Sequence, residues 1–373
     1  MNENHSKIDK IIKDADFKKL WQSKCSQFDS LGVPLPSILP AVDRIIVLGD
    51  IHGDMEMLKK SLKLGKLIND NDEWIGGETV VVQVGDQIDR CRFAGTECSK
   101  KEATDHDEGN DWNILKYMTD LHSKASANGG AVYSLVGNHE LMNVDGDMRY
   151  VSYEGFNEFN DWKPPNNYEM PDDLEDGKEK RVWAFKPGNP VADFLACTRQ
   201  MSLIIGNNLF VHAGILPKIA KKYSVENLNK LLTLYLWGEL NKDEKQAHKD
   251  IWSGSKTSPL WIRDFGKMGT KKEEDPENYK DDKKCKTLLK PIQEIYKVDK
   301  IYIGHTPLMK NGMTSVCDEK IWLTDYGSSK AFDKFDKKYI SSESEKSTTL
   351  RDARKTHVLE ILEDGERVNI LRE

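Results

Sequence analysis

Five short runs of Val, Ile, Leu and aromatic residues each stop abruptly at a glycine or histidine beside a polar side chain, and no other feature limits the possible folds of this chain so strongly. Arg44-Ile-Ile-Val-Leu leads into GDIHGD, Thr79-Val-Val-Val-Gln-Val into GDQIDR, and Ala131-Val-Tyr-Ser-Leu-Val into GNHE. Later, Asn208-Leu-Phe-Val meets HAG and Lys300-Ile-Tyr-Ile meets GHTP. Runs of this length and β-branched content read as buried strands. Ile321-Trp-Leu-Thr-Asp and His357-Val-Leu-Glu-Ile-Leu read as further strands. Between them, 54–67, 112–127 and 225–240 carry apolar residues at helical spacing. Such alternation predicts an α/β chain of stacked sheet and helix layers.

The length of 373 residues suits one large α/β unit with insertions. Its hydrophobic fraction of 38% against 31% charged residues excludes pervasive disorder. A formal net charge of −7 argues against a chain that wraps nucleic acid, so no nucleic-acid partner is expected. No stretch has the length and apolarity of a membrane span, and MNENHSKIDKIIKDADFKKLW lacks the unbroken apolar core of a signal peptide. The expectation is a cytoplasmic protein with no membrane partner. The six cysteines, Cys25, Cys91, Cys98, Cys197, Cys285 and Cys317, contain no CxxC pair, and of the two readings of Cys91 and Cys98, a loop disulfide or free thiols, free thiols in a reducing compartment are expected. Residues 1–43 are expected to form a helical extension packed on a catalytic domain of 44–373. Charged stretches at 169–181, 267–286 and 328–347 read as surface insertions.

The polar residues that follow the strands are Asp50, His52, Asp86, Asn138, His212 and His305, an oxygen and nitrogen set that suits manganese, iron or zinc. If the strand ends converge, Asp50, His52 and one oxygen of Asp86 hold one cation, and Asp86, Asn138, His212 and His305 hold a second. A bridging carboxylate would fix the metals ~3.5–4 Å apart, the spacing that clamps both oxygens of an in-line displacement at phosphorus. In Asp50-Ile-His52 an extended backbone points alternate residues the same way. The preceding glycines, Gly49, Gly85, Gly137 and Gly304, permit close backbone approach. Two cations would lower the pKa of a shared water and offset phosphate charge. His139, next to Asn138, is the expected general acid, a role that contributes ~10²–10⁴ in rate. Asp89 is its expected orienting partner. Arg90 can offer a bidentate fork to phosphate, with Arg263 or Arg149 opposite.

In this order, GDIHGD, GDQIDR, GNHE, HAG and GHTP resemble the phosphoprotein phosphatase family within the calcineurin-like metallophosphoesterases. GNHELMNVDGDMRYV and the late Trp-Ile-Arg are similar to its Shewanella-like branch. The resemblance runs from about Arg44 to about Gly327. It implies a four-layer architecture, two central β-sheets packed as a sandwich and flanked by helices. It also implies two divalent metal ions and activity on phosphorylated serine, threonine or tyrosine of a protein or peptide. Carried over motif by motif, it repeats the metal ligands and the roles of His139, Asp89 and Arg90. Two features depart from the family pattern: Cys91 stands where glycine usually follows the Asp-Arg pair, and no SDP-type motif precedes Arg263; Pro307 stands where many other metallophosphoesterases have a second histidine, which favours the phosphoprotein branch over nuclease-like relatives.

Other features carry bland readings. His5, His106, His122, His248 and His357 are read as structural, and Asp105, Asp107 and Glu108 as a solvated turn. Trp237, Trp252 and Trp261 are read as packing residues. The competing functions are hydrolysis of a dinucleoside polyphosphate or other small phosphate ester, and an inactive scaffold of the same fold.

Overall fold

The computed structural model describes residues 12–26, 33–92, 96–165, 167–241, 244–245, 247–249, 256–333, 335 and 354–373. The apolar runs form strands β2 (Arg44–Leu48), β3 (Val80–Gln83), β4 (Ala131–Leu135), β7 (Asn208–Val211) and β8 (Lys300–Ile303). They are joined by β1 (Ile38–Leu39), β5 (Arg199–Gln200), β6 (Ser202–Ile205), β9 (Thr314–Val316), β10 (Ile321–Leu323), β11 (His357–Leu362) and β12 (Arg367–Arg372). Two mixed sheets of six strands result, one ordered β12-β11-β2-β3-β4-β5 and the other β1-β6-β7-β8-β10-β9. Within them β2, β3 and β4 run parallel, as do β7, β8 and β10.

Alternation along the strands builds the layers. Ile45, Val47, Val80, Val82 and Tyr133 pack against Phe210, Tyr302 and Trp322 of the second sheet. Their neighbours Ile46, Leu48, Val81 and Val132 point outward, onto helices α2 (Met55–Leu64) and α3 (Asp111–Ser126). Both faces of these strands are covered, so the runs read as continuously apolar rather than alternating. On the far side, α4 (Asn138–Val144), α5 (Tyr153–Asn157), α6 (Gly177–Phe185) and α7 (Pro190–Thr198) contribute to a second large core with the helix Val225–Leu236.

Near the N-terminus, α1 (Asp14–Cys25) buries Phe17, Trp21 and Cys25. Both aromatic rings lie 5.9 Å from that of Trp237. The parts of the expected extension at 1–11 and 27–32, Trp252 and His5 lie outside the described residues.

All six cysteines are paired, which corrects the expectation of free thiols. The bridges are Cys25–Cys197, Cys91–Cys98 and Cys285–Cys317, with Cα separations of 5.4, 5.7 and 5.6 Å. These lie in the range a disulfide spans. Two of the pairs are 172 and 32 residues apart in sequence, so only folding brings them together.

The charged insertions are also less superficial than their composition suggests. Arg181 is fully buried, and Met268 sits in the core within the helix Gly266–Glu274. Ser329 and Phe332 are buried as well, while 334 and 336–347 lie outside the described residues. Lysine and glutamate density marks an exposed helix face, and it masks the few side chains that point inward.

Candidate metal and active site

The six candidate donors sit where strands end: Asp50 and His52 after β2, Asp86 after β3, Asn138 after β4, His212 after β7 and His305 after β8. The carboxyl ends of parallel strands are the usual place for ligands in α/β proteins. All six are buried, none more than 4% exposed. The loops that present them hold unusual backbone. His52, Asp86, Asp89 and His305 have φ values of 48°, 54°, 70° and 68°, a left-handed region that costs roughly 1–3 kcal/mol for such residues and clusters at functional sites. Two glycines make the approach possible. A Cβ on Gly137 would lie 2.1 Å from Asp86 Oδ1, and one on Gly304 2.1 Å from Asp50 Oδ1.

Asp86 is the centre of the arrangement. Its Oδ2 lies 3.3 Å from His212 Nε2 and 3.9 Å from both His52 Nε2 and His139 Nε2. Asp50 Oδ2 is 3.8 Å from His52 Nε2, and Asn138 Oδ1 is 3.0 Å from His212 Nε2. Two groups with metal-ligand spacing share this carboxylate, His52 with His139 and His212 with His305. The donors therefore fit divalent cations. Carbonyl oxygens fix the ring orientations: Ile88 O is 3.2 Å from His52 Nδ1, Val84 O 2.8 Å from His212 Nδ1, and Trp261 O 3.2 Å from His305 Nε2. Such partners leave the opposite ring nitrogen for a metal.

The electrostatics of His52, His305 and Asp86 agree with that use. Burial, reinforced by Arg92 and His139, pushes His52 well below the usual imidazole range, and burial with His212 and Arg263 does the same to His305. Neutral imidazoles keep a lone pair free for a cation. Burial opposes ionisation of Asp86, yet His212 and His139 outweigh it and hold that carboxyl well below its ordinary value. Asp50 is driven up by burial and by Asp325 and Asp86.

His139 stands beside this centre, its Nδ1 2.7 Å from Asp89 Oδ2. Asn143 donates to the other oxygen of Asp89 at 2.9 Å and in turn accepts from Arg181 Nε at 2.9 Å. Arg181 also pairs with Asp111 at 2.8 Å. Sequence reasoning missed Arg181 because it sits inside a lysine- and glutamate-rich stretch. It also gave no role to Glu140, whose carboxylate accepts from the backbone N–H of Gly137, Asp86, Gln87 and Ile88 at 2.7–3.2 Å. Burial and Asp86 raise Glu140 to about 7. The signal was present, since a Glu three residues past the glycine that opens a helix is a capping pattern. Asp325, after β10, was missed too; it is 3% exposed and raised to about 6, chiefly by burial. Ser328 and Ser329 donate to the carbonyls of Asp50 and His52.

The three arginines expected at phosphate stand in different settings. Arg90 is 1% exposed, with Nη1 3.0 Å from Asp54, and Nη2 3.0 Å from the His106 carbonyl and 3.5 Å from Glu108. Both Nη atoms thus brace loops, while Nε has no hydrogen-bond partner among the described residues. Glu108 and Asp107 belong to this bracing and not to a solvated turn, for Asp107 accepts from Ser152 Oγ and Glu154 N. Arg149 is exposed and chelated by Asp147. Arg263, also exposed, donates to the His305 carbonyl at 3.1 Å and so stands at the rim. The remaining arginine at the site is Arg92, which sequence reasoning did not consider.

Residues 43–309 match the family described as calcineurin-like phosphoesterase. An uncharacterized protein of Acanthamoeba polyphaga mimivirus, R398, is 35% identical over 59% of this chain and 90% of its own length. Shewanella-like protein phosphatase 2 of Arabidopsis thaliana is 28% identical over 77% of this chain and 72% of that protein. Among solved structures, the cold-active protein-tyrosine phosphatase of a psychrophile Shewanella species matches with a TM-score of 0.57 at 18% identity, covering 91% of this chain and 83% of that one, a likeness of fold.

Proposed function

Because this chain belongs to the calcineurin-like phosphoesterase family, and is therefore a hydrolase of phosphate esters, we propose that it is a metal-dependent phosphoprotein phosphatase acting on phosphoserine, phosphothreonine or phosphotyrosine. The observation that carries the reading is the arrangement around one carboxylate: two groups with metal-ligand spacing, His52 with His139 and His212 with His305, share Asp86, and Asp89 holds Nδ1 of His139 at 2.7 Å. Relatives named Shewanella-like protein phosphatase support the substrate class.

Asp50, His52 and Asp86 would hold one cation, and Asp86, Asn138, His212 and His305 the other, with manganese, iron or zinc suited to these donors. When bound, the cations supply Lewis acidity at the phosphoryl group and neutralise its charge. The chain supplies the rest. Asp89 accepts the Nδ1 proton of His139, which turns Nε2 toward the pocket. That Nε2 proton goes to the leaving oxygen of the substrate, because an alkoxide of serine or threonine leaves poorly without one.

Among the described residues no helix is long and apolar enough to cross a membrane. Three disulfides favour an oxidising compartment over the cytoplasm expected from cysteine spacing.

Steady-state rates on phosphopeptides and on a panel of nucleotides and dinucleoside polyphosphates, in manganese, test the proposal. A preference for phosphopeptides that falls about 10²-fold or more in His139→Ala supports it. A preference for nucleotides overturns the substrate class, and an unchanged rate in His139→Ala overturns the acid.

A further inference from the structure

Two arginines flank Cys91 and occupy opposite environments. Arg90 already faces carboxylates within ion-pairing distance. Arg92 does not: among the described residues its hydrogen bonds run only from Nη1, to the carbonyls of Asp89 at 3.1 Å and Cys91 at 2.8 Å. No carboxylate among those residues pairs with it, although its charge feels those of Asp86, Asp89, Asp325 and Asp50. A guanidinium drawn into an acidic, partly buried place without a direct anion is chemically incomplete.

The position of Arg92 is fixed by rings. Its guanidinium carbon lies 4.9 Å from the ring centre of Phe332 and 5.9 Å from that of Tyr150. Those same rings touch the site: Phe332 is 5.8 Å from His52, and Tyr150 4.9 Å from His139. Held between two aromatic faces, the planar fork loses little further freedom on binding an anion. Behind it, the Cys91–Cys98 disulfide ties down the backbone next to Arg92, and Cys91 N donates to the Tyr150 carbonyl.

We propose that Arg92, and not Arg90, grips the phosphoryl oxygens of the substrate, with the Cys91–Cys98 bridge holding it over the Asp86 centre. An arginine already neutralised by Asp54 gains little from a second anion, whereas the Nε and Nη2 edge of Arg92, left over when Nη1 bonds the Asp89 and Cys91 carbonyls, gains charge-assisted, bidentate hydrogen bonds. The assignment deepens the phosphatase reading and rests on it for the identity of the substrate.

The test uses the full-length, metal-loaded protein, with orthophosphate binding measured by calorimetry and KM measured on p-nitrophenyl phosphate. Arg92→Met should weaken orthophosphate at least about tenfold and raise KM, with bound metal and Tm unchanged; Arg92→Lys, which keeps the charge and loses the fork, should fall between. Arg90→Lys should lower Tm and leave orthophosphate affinity within about threefold, as expected for a bracing residue. Should Arg92→Met fail to fold, the two lysine variants decide alone. The assignment is overturned if Arg92→Met binds orthophosphate with less than about a tenfold loss, or if Arg90→Lys weakens it more than Arg92→Lys. Orthophosphate binding that is lost in Arg92→Met, in a protein whose wild type cleaves no phosphopeptide, overturns the phosphatase reading and leaves this one intact.

Discussion

Nδ1 of His139 lies 2.7 Å from Oδ2 of Asp89, and both groups are held from behind rather than by each other alone. Asn143 bonds Asp89 Oδ1 and the His139 carbonyl, while Arg181 bonds Asn143 and Asp111. The ring of the candidate acid is thus anchored to a buried polar network reaching into α6.

Replacing Asp89 with Asn removes the carboxylate that accepts from His139 Nδ1 and leaves the site's shape nearly unchanged. We expect kcat on phosphoserine peptides to fall about 10–100-fold with metal content unaltered. The loss should be smaller on p-nitrophenyl phosphate, whose leaving group needs little protonation. Equal losses on both substrates would mean that Asp89 acts on something other than proton donation.

Gly137→Ala should damage metal binding. The added methyl would fall 2.1 Å from Asp86 Oδ1 and 2.3 Å from Asp86 N, so the shared carboxylate has to move, and we expect metal affinity to drop about tenfold or more. Metal analysis after dialysis at limiting manganese reads this directly; full occupancy would show that the loop relaxes at no cost.

The pH dependence of stability should carry a signature of Glu158. Burial, with Asp111 next, raises this carboxyl from 4.5 to about 7, while it accepts from Trp112 N and Asn113 N at the start of α3. A folded-state value above the unfolded one means that the folded protein holds the proton more tightly between about pH 4.5 and 7. Stability from this group is therefore complete below that window and is lost as pH rises through it, by on the order of 1–3 kcal/mol. Glu158→Gln should flatten the decline in Tm between pH 5 and 8. An identical slope in the variant would remove Glu158 as its source.

The Cys25–Cys197 bridge, which closes 172 residues between α1 and α7, should contribute about 2–5 kcal/mol by restricting the unfolded chain. The double Ser variant is expected to unfold at correspondingly lower guanidinium, with the release of Phe17 and Trp21 from Trp237 visible in tryptophan fluorescence. Thiol titration of the unfolded, unreduced wild type should find none of the six cysteines free. A titratable pair would contradict the pairing.

The strands and the donors that follow them were legible because local rules specify both. A buried parallel strand must be a short apolar run, so the positions just past the strand ends, Asp50, His52, Asp86, Asn138, His212 and His305, could be picked out along the chain as candidates. What joins distant segments was not legible. The disulfide partners, the bracing of Arg90 by Asp54 and Glu108, and the support of Asp89 by Arg181 depend on which loops meet above the sheets. Arg90 and Arg92 are two residues apart and chemically identical, and only the packing around each decides that Arg90 meets Asp54 and Glu108 while Arg92 lies against Phe332 and Tyr150.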